Sequence, residues 1–165
     1  MFEKWEKRWS LGPRRKMPRP RQQYNDCVVA VFRELTGEDK LSAEVRFIPY
    51  LTGKPGTTSD VLRICLRNVG WTMGPDDAIN EYAGPDGSID MERLAAHWRC
   101  FQGEAVMFYT VDGQDTGHAV VVRAGGIVLD PQPSAPEEGE FITVYFKSLG
   151  RNVGITDVFI VAKLG

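Results

Sequence analysis

The stretch Gln22-Gln23-Tyr24-Asn25-Asp26-Cys27-Val28-Val29-Ala30-Val31-Phe32-Arg33-Glu34-Leu35-Thr36-Gly37 sets a cysteine at the mouth of a helix. Val28, Val31, Phe32 and Leu35 recur at i, i+3, i+4 and i+7, the spacing of one buried helical face, and Gly37 supplies the left-handed residue that commonly ends a helix. Asn25 or Asp26 can act as N-cap, which predicts Cys27 in the first turn. Unpaired backbone N–H groups and the positive end of the helix dipole favour a thiolate there, the form of cysteine that attacks carbon. Free cysteine is also a common core residue, so this stretch alone leaves two roles open, nucleophile or inert packing group.

Upstream, residues 1–21 read as an arm ahead of a folded body at 22–165. Phe2, Trp5 and Trp9 form the stripe of a short amphipathic helix that Gly12-Pro13 ends, and Arg14 to Arg21, interleaved with Pro18 and Pro20, is predicted to be extended. The arm holds 8 Lys/Arg and 2 Asp/Glu, leaving 12 and 20 for the remainder, so a formal charge of -2 divides into about +6 and -8. Without a nucleic-acid-binding motif this argues for an arm that lies on its own acidic body or meets a protein partner, and against nucleic acid.

Downstream, a short helix near Leu41 to Leu51 is interrupted by Pro49, and Thr58 or Ser59 caps a helix with Leu62, Cys65, Leu66 and Val69 on its core stripe. Cys65 is therefore expected to be inert. Trp71 to Gly87, punctuated by Gly-Pro and Asp-Gly pairs, reads as irregular, and Asp90 opens a helix to about Phe101 with Met91, Leu94, Ala95 and Trp98 on one face. Strands follow at Ala105–Val111, His118–Arg123, Ile127–Asp130, Phe141–Phe146 and Val158–Leu164. Helices first and strands afterwards is the α+β pattern, a helical layer on an antiparallel sheet.

Composition excludes several classes. With 42% hydrophobic and 25% charged residues the chain has ordinary globular content for one domain, and no apolar run approaches the roughly 20 residues of a membrane span. Cys27, Cys65 and Cys100 are an odd number without a C-x-x-C pair, which argues against a disulfide framework and a structural zinc site and for a reducing, cytoplasmic setting. Delivery to another cell by a specialised route would leave no mark in such a sequence. His97 and Cys100 at i, i+3 have no third or fourth ligand in view, so neither metal nor cofactor is expected.

A thiol nucleophile needs a base to hold its proton and a group to orient that base. His97, mid-helix, reads as a partly buried structural residue. His118 follows a flexible loop, begins an apolar strand, and has Asp130 at the end of the next strand; the plain alternative is a strand-edge histidine and a turn-forming Asp-Pro. A two-residue Gly125-Gly126 loop would send Asp130 to the face away from His118. A three-residue loop, Ala124-Gly125-Gly126, with Gly126 left-handed in a type I turn plus bulge, pairs Arg123 with Ile127 and makes His118 and Asp130 diagonal neighbours on one face. A shared site requires the second register, and His118, Val120, Val122, Val128 and Asp130 are then expected to face the Cys27 helix.

Cysteine opening the first core helix, Gly117-His118-Ala119-Val120-Val121-Val122 starting one strand and Val128-Leu129-Asp130-Pro131-Gln132 ending its neighbour resemble the papain-like cysteine hydrolase superfamily. Asp26-Cys27 and the Gly56 to Gly70 helix are similar to the bacteriocin-processing peptidases, and Asp130-Pro131-Gln132 to the papain-fold toxin and deamidase branch. The resemblance implies a papain-like fold in which Cys27 is nucleophile, His118 general base and then acid, and Asp130 the orienting carboxylate. It also implies an oxyanion glutamine six residues before the cysteine, where this chain has Arg21; Gln22, or next to it Gln23, takes that role, with the Cys27 N–H as second donor. The implied function is hydrolysis of an amide in a protein or peptide, most simply by a peptidase. The alternatives are a glutamine deamidase and a catalytically silent protein-binding module.

Overall fold

Helix α1 (Gln23–Thr36) buries Val28, Val31, Phe32 and Leu35 on the face their spacing predicts, and Gly37 follows at φ +79 with its N–H donating to the Arg33 carbonyl. The structure is a computed structural model that describes residues 23–50, 59–84, 88–111, 117–132, 138–150 and 152–165, with side chains from Cys27 onward. The arm at 1–21 lies outside the described residues. One local expectation fails: α1 runs from Gln23, so Cys27 stands in its second turn rather than its first. Glutamine is a good helix former, and neither Asn25 nor Asp26 opposes a helix strongly enough to make it start there.

Helix α2 (Lys40–Phe47), capped by the Asp39 carboxylate on the Ser42 N–H, passes into a 3₁₀ turn at Ile48–Tyr50, where Pro49 falls. Helix α3 spans Ser59–Asn68, and helix α4 (Met91–Arg99) opens on Asp90, whose side chain accepts from the N–H groups of Glu92 and Arg93. The strands are β1 (Trp71–Pro75), β2 (Glu104–Val111), β3 (Gly117–Arg123), β4 (Ile127–Leu129), β5 (Glu140–Phe141) and β6 (Val153–Lys163). They form one sheet in the order β1-β6-β2-β3-β4-β5, and every neighbouring pair is antiparallel. Helices followed by an antiparallel sheet make this an α+β chain. Among the described residues no helix is long and apolar enough to cross a membrane.

Two segments depart from the sequence reading. Trp71–Pro75 is an edge strand instead of irregular chain: Trp71 and Met73 alternate inward, and Pro75 is tolerated because it closes an edge. Phe141 to Phe146 is mostly helical. After the two-residue β5 the chain turns into helix α5 (Ile142–Ser148), burying Ile142, Tyr145 and Phe146 at i, i+3 and i+4. β-branched and aromatic residues suit strands, but a three-residue period that meets a waiting apolar layer prevails over propensity.

The layering also differs from a single helical cover. Val106, Ala119, Val121, Phe159 and Val161 pack with α1, α2 and α3 on one face of the sheet. Met107, Val120, Val122, Val128 and Val158 pack on the other with α4 and α5. Val120, Val122 and Val128 therefore face away from α1, opposite to expectation. Strand alternation puts Ala119 and Val121 on the α1 side, and the small Ala119 admits the helix closely.

The hairpin register is the expected one, with Arg123 opposite Ile127, Val122 opposite Val128 and Val121 opposite Leu129. Its turn differs in type. Gly126 N–H donates to the Arg123 carbonyl, and both Gly125 and Gly126 have positive φ while among the described residues no non-glycine residue does, which defines a type II turn followed by a left-handed glycine. A Cβ at Gly126 would come within 3.0 Å of the Trp98 carbonyl oxygen and 2.9 Å of the Phe141 ring, whereas one at Gly125 would meet nothing. Gly125→Ala is therefore expected to cost about 1 kcal/mol for the left-handed backbone alone. Gly126→Ala adds overpacking and is expected to cost about 3 kcal/mol. Urea unfolding of the two variants checks the order, and equal losses would refute it.

Candidate active site

The register that pairs Val121 with Leu129 carries Asp130 opposite Val120, one step diagonal from His118. The His118 Nε2 lies 2.8 Å from Asp130 Oδ1. Asp130 is buried, and three donors converge on it: Gln132 N–H reaches Oδ1 at 2.9 Å, and the Tyr145 hydroxyl donates to Oδ2 at 2.6 Å. A carboxylate accepts all three without conflict, whereas a protonated carboxyl would present a proton to another donor. Nε2 therefore carries the hydrogen toward Asp130, which leaves Nδ1 as the nitrogen not engaged by the carboxylate.

Cys27 arrives from the other face of the sheet and fixes itself to the backbone of β3. Arg123 addresses β4 with its carbonyl, and alternate residues of a strand address the same neighbour, so Val121 and Ala119 do likewise. β4 ends at Leu129, opposite Val121. Two residues further, Pro131 would oppose Ala119, and proline has no N–H to give. The Cys27 sulfur fills that missing rung: Ala119 N–H donates to Sγ at 3.0 Å, and Sγ lies 3.4 Å from the Ala119 carbonyl as its donor. The residue after the candidate base thus holds the candidate nucleophile.

The electrostatics couple the group. Burial opposes a charged imidazole, yet electrostatic interaction with Cys27, the Asp130 hydrogen bond and further interaction with both partners push His118 up to about 10. Burial also works against an ionised Asp130, but His118, Tyr145 and the Gln132 N–H outweigh it and hold the carboxyl below its ordinary range. Tyr145 is driven upward by burial and by the Asp130 charge, so it keeps the proton it donates.

The expected residues Cys27, His118 and Asp130 come together. Gln22 lies outside the described residues, and Gln23 opens α1 with its side chain outside them. The Cys27 N–H, expected as an oxyanion donor, is directed instead at the Gln23 carbonyl by helical geometry, because α1 starts before it. His97 packs its ring against Tyr82 and Trp98. Cys65 is buried, donates to the Arg46 carbonyl, and is pushed up to about 11 by burial, as suits an inert thiol; Cys100 is exposed. Among the described residues no group of three or more His, Cys, Asp or Glu could hold a metal ion. Sequence reasoning missed Tyr145, and with it Tyr109, whose hydroxyl is 2.6 Å from that of Tyr145. The period of Ile142, Tyr145 and Phe146 was the available signal.

In comparisons with known proteins, no family model matches this chain and no curated sequence matches it.

The raised His118 value has a pH consequence. A group whose folded value rises from 6.5 to about 10 stabilises the fold fully below pH 6.5 and loses that contribution as the pH climbs toward 10. The stability advantage of wild type over His118→Asn, measured by urea unfolding, is expected to decline across that window. A constant difference there would show that His118 is not held charged.

Proposed function

We propose that the protein is a papain-like cysteine hydrolase that cleaves an amide in a protein or peptide. The observation that carries this reading is the meeting of a sulfur, an imidazole and a buried carboxylate from α1, β3 and the end of β4, with the imidazole bonded to the carboxylate at 2.8 Å. The sulfur leaves its contact with Ala119 and, as thiolate, attacks the carbonyl carbon, whose π electrons move onto oxygen. His118 gives its proton to the nitrogen as the C–N bond breaks, leaving an acyl thioester. Water then attacks the thioester while His118 takes its proton, and the carboxylic acid departs as the sulfur regains its charge. Asp130 holds the ring and offsets its charge throughout. Stabilising the oxyanion falls to the side chain of Gln22 or Gln23.

A backbone amide would make the enzyme a peptidase, and a glutamine side-chain amide a deamidase; the chemistry at Cys27 is common to both. Two observations favour a second reading, a silent binding module. The Cys27 N–H is spent within α1, and the sulfur is engaged by the Ala119 main chain. Iodoacetamide separates the classes at neutral pH in a Cys100→Ser background, which removes the exposed competing thiol. Fast labelling of Cys27 relative to Cys65 is expected from the hydrolase, and equally slow labelling would favour the binder.

With candidate protein substrates read by mass spectrometry, Cys27→Ala and His118→Ala are each expected to abolish turnover while the fold is retained. Asp130→Asn should slow it by about a hundredfold or more. His97→Ala should stay within about tenfold of wild type, because only groups acting as a unit fail together. A backbone cut identifies a peptidase and a gain of about one dalton at glutamine a deamidase, both outcomes of carbonyl attack. Full activity in the His118 variant would eliminate the mechanism.

A further inference from the structure

Behind the His118–Asp130 pair lies a second layer of hydroxyl groups that the reaction sequence above does not use. Tyr145, buried on α5, donates its one proton to Asp130 Oδ2 at 2.6 Å. Its oxygen is also 2.6 Å from the Tyr109 hydroxyl on β2. Since the Tyr145 proton is committed to the carboxylate, Tyr109 must be the donor in that second bond. The hydroxyls thus run in one direction, Tyr109 to Tyr145 to Asp130. The Tyr109 ring in addition meets the His118 ring edge to face at 5.6 Å between centroids. Phenylalanine would fill the same space on α5, as the neighbouring Phe146 does, so packing alone does not call for a hydroxyl at position 145.

We propose that Tyr145 is a positioning residue: its hydroxyl fixes the Asp130 carboxylate so that Oδ1 faces His118, and it keeps that carboxylate ionised, with Tyr109 completing the relay. The role in turnover rests on the hydrolase reading, whereas the relay itself does not. Every group that faces the carboxylate bears on its titration. Among the described residues these are His118 from β3, Tyr145 from α5 and the Gln132 N–H from its own segment, with Tyr109 acting through Tyr145 and Cys27 through His118. Removing the Tyr145 hydroxyl leaves Oδ2 without its described donor in a buried site, which disfavours the charged form and frees the carboxylate to rotate.

The test compares Tyr145→Phe, Tyr109→Phe and 3-fluorotyrosine placed at position 145, all in the Cys100→Ser background. The Asp130 carboxyl and the His118 ring are titrated by NMR, and the rate of Cys27 alkylation is followed by mass spectrometry. In Tyr145→Phe the Asp130 titration is expected to move to higher pH and alkylation at neutral pH to slow about tenfold, the scale of a hydrogen bond to a charged group. Tyr109→Phe should move the titration the same way by less. Fluorotyrosine, a stronger donor of nearly the same size, should move it to lower pH, a response that a merely structural role would not produce and that is readable even if Tyr145→Phe does not fold. Shifted titrations with a Cys27 that is equally unreactive in every variant would support the positioning role and count against the hydrolase. An Asp130 titration that fails to move in Tyr145→Phe, or with fluorotyrosine, would overturn the proposal whatever Cys27 does.

Discussion

One unmatched rung of the sheet, at Ala119, ties the candidate site together. β3 runs on past the end of β4, and the residue that would continue the ladder is Pro131, which cannot donate. The Ala119 carbonyl would then have no donor, and its N–H finds no partner in β4, which has already ended; buried main-chain groups without partners are costly, of the order of 1–3 kcal/mol each. The Cys27 sulfur answers both, at 3.0 and 3.4 Å. The same register that ends the ladder also aligns Asp130 with His118. A one-residue slip of the hairpin would therefore cost the imidazole its carboxylate and move the gap that holds the sulfur.

The sheet separates the site into two halves with different environments. α1 approaches the Ala119 and Val121 face, while the imidazole, its carboxylate and the tyrosines belong to the face covered by α4 and α5. The sulfur and the imidazole consequently meet at the strand end, where a side chain from one face can reach a backbone seen from the other. An anionic carboxylate is tolerated deep in the second layer because three donors surround it, and a charged imidazole because that carboxylate stands beside it. Such a network is specific because each member needs the others: remove one partner and a buried charge is left exposed to an apolar surrounding.

Much of this was legible in the chain. Apolar positions at helical spacing, the Asp90 cap and the glycines at 37 and 126 are local signals, and local signals survive without tertiary context. The hairpin register followed from asking which loop length would let His118 and Asp130 share a face. The Cys27 environment was read less well: the helix begins at Gln23, so the first-turn argument for its thiolate does not apply, and the sulfur is held instead by the backbone of a strand 92 positions away in sequence.

By itself the sequence determined the α+β order of elements, the three-residue loop between β3 and β4, and the identity of the sulfur, imidazole and carboxylate that could cooperate. The first follows from periodicity, which acts over a few residues; the loop length follows from requiring His118 and Asp130 to share a face, and the three groups from a likeness of short motifs. Tertiary structure decided which face of β3 meets α1, that Ile142–Ser148 winds as a helix under the sheet, and that Tyr145 reaches Asp130. Each depends on what packs against a segment: two-residue alternation gives two faces but does not say which layer covers which, and a β-prone segment becomes helical when a neighbouring apolar face rewards the three-residue period instead.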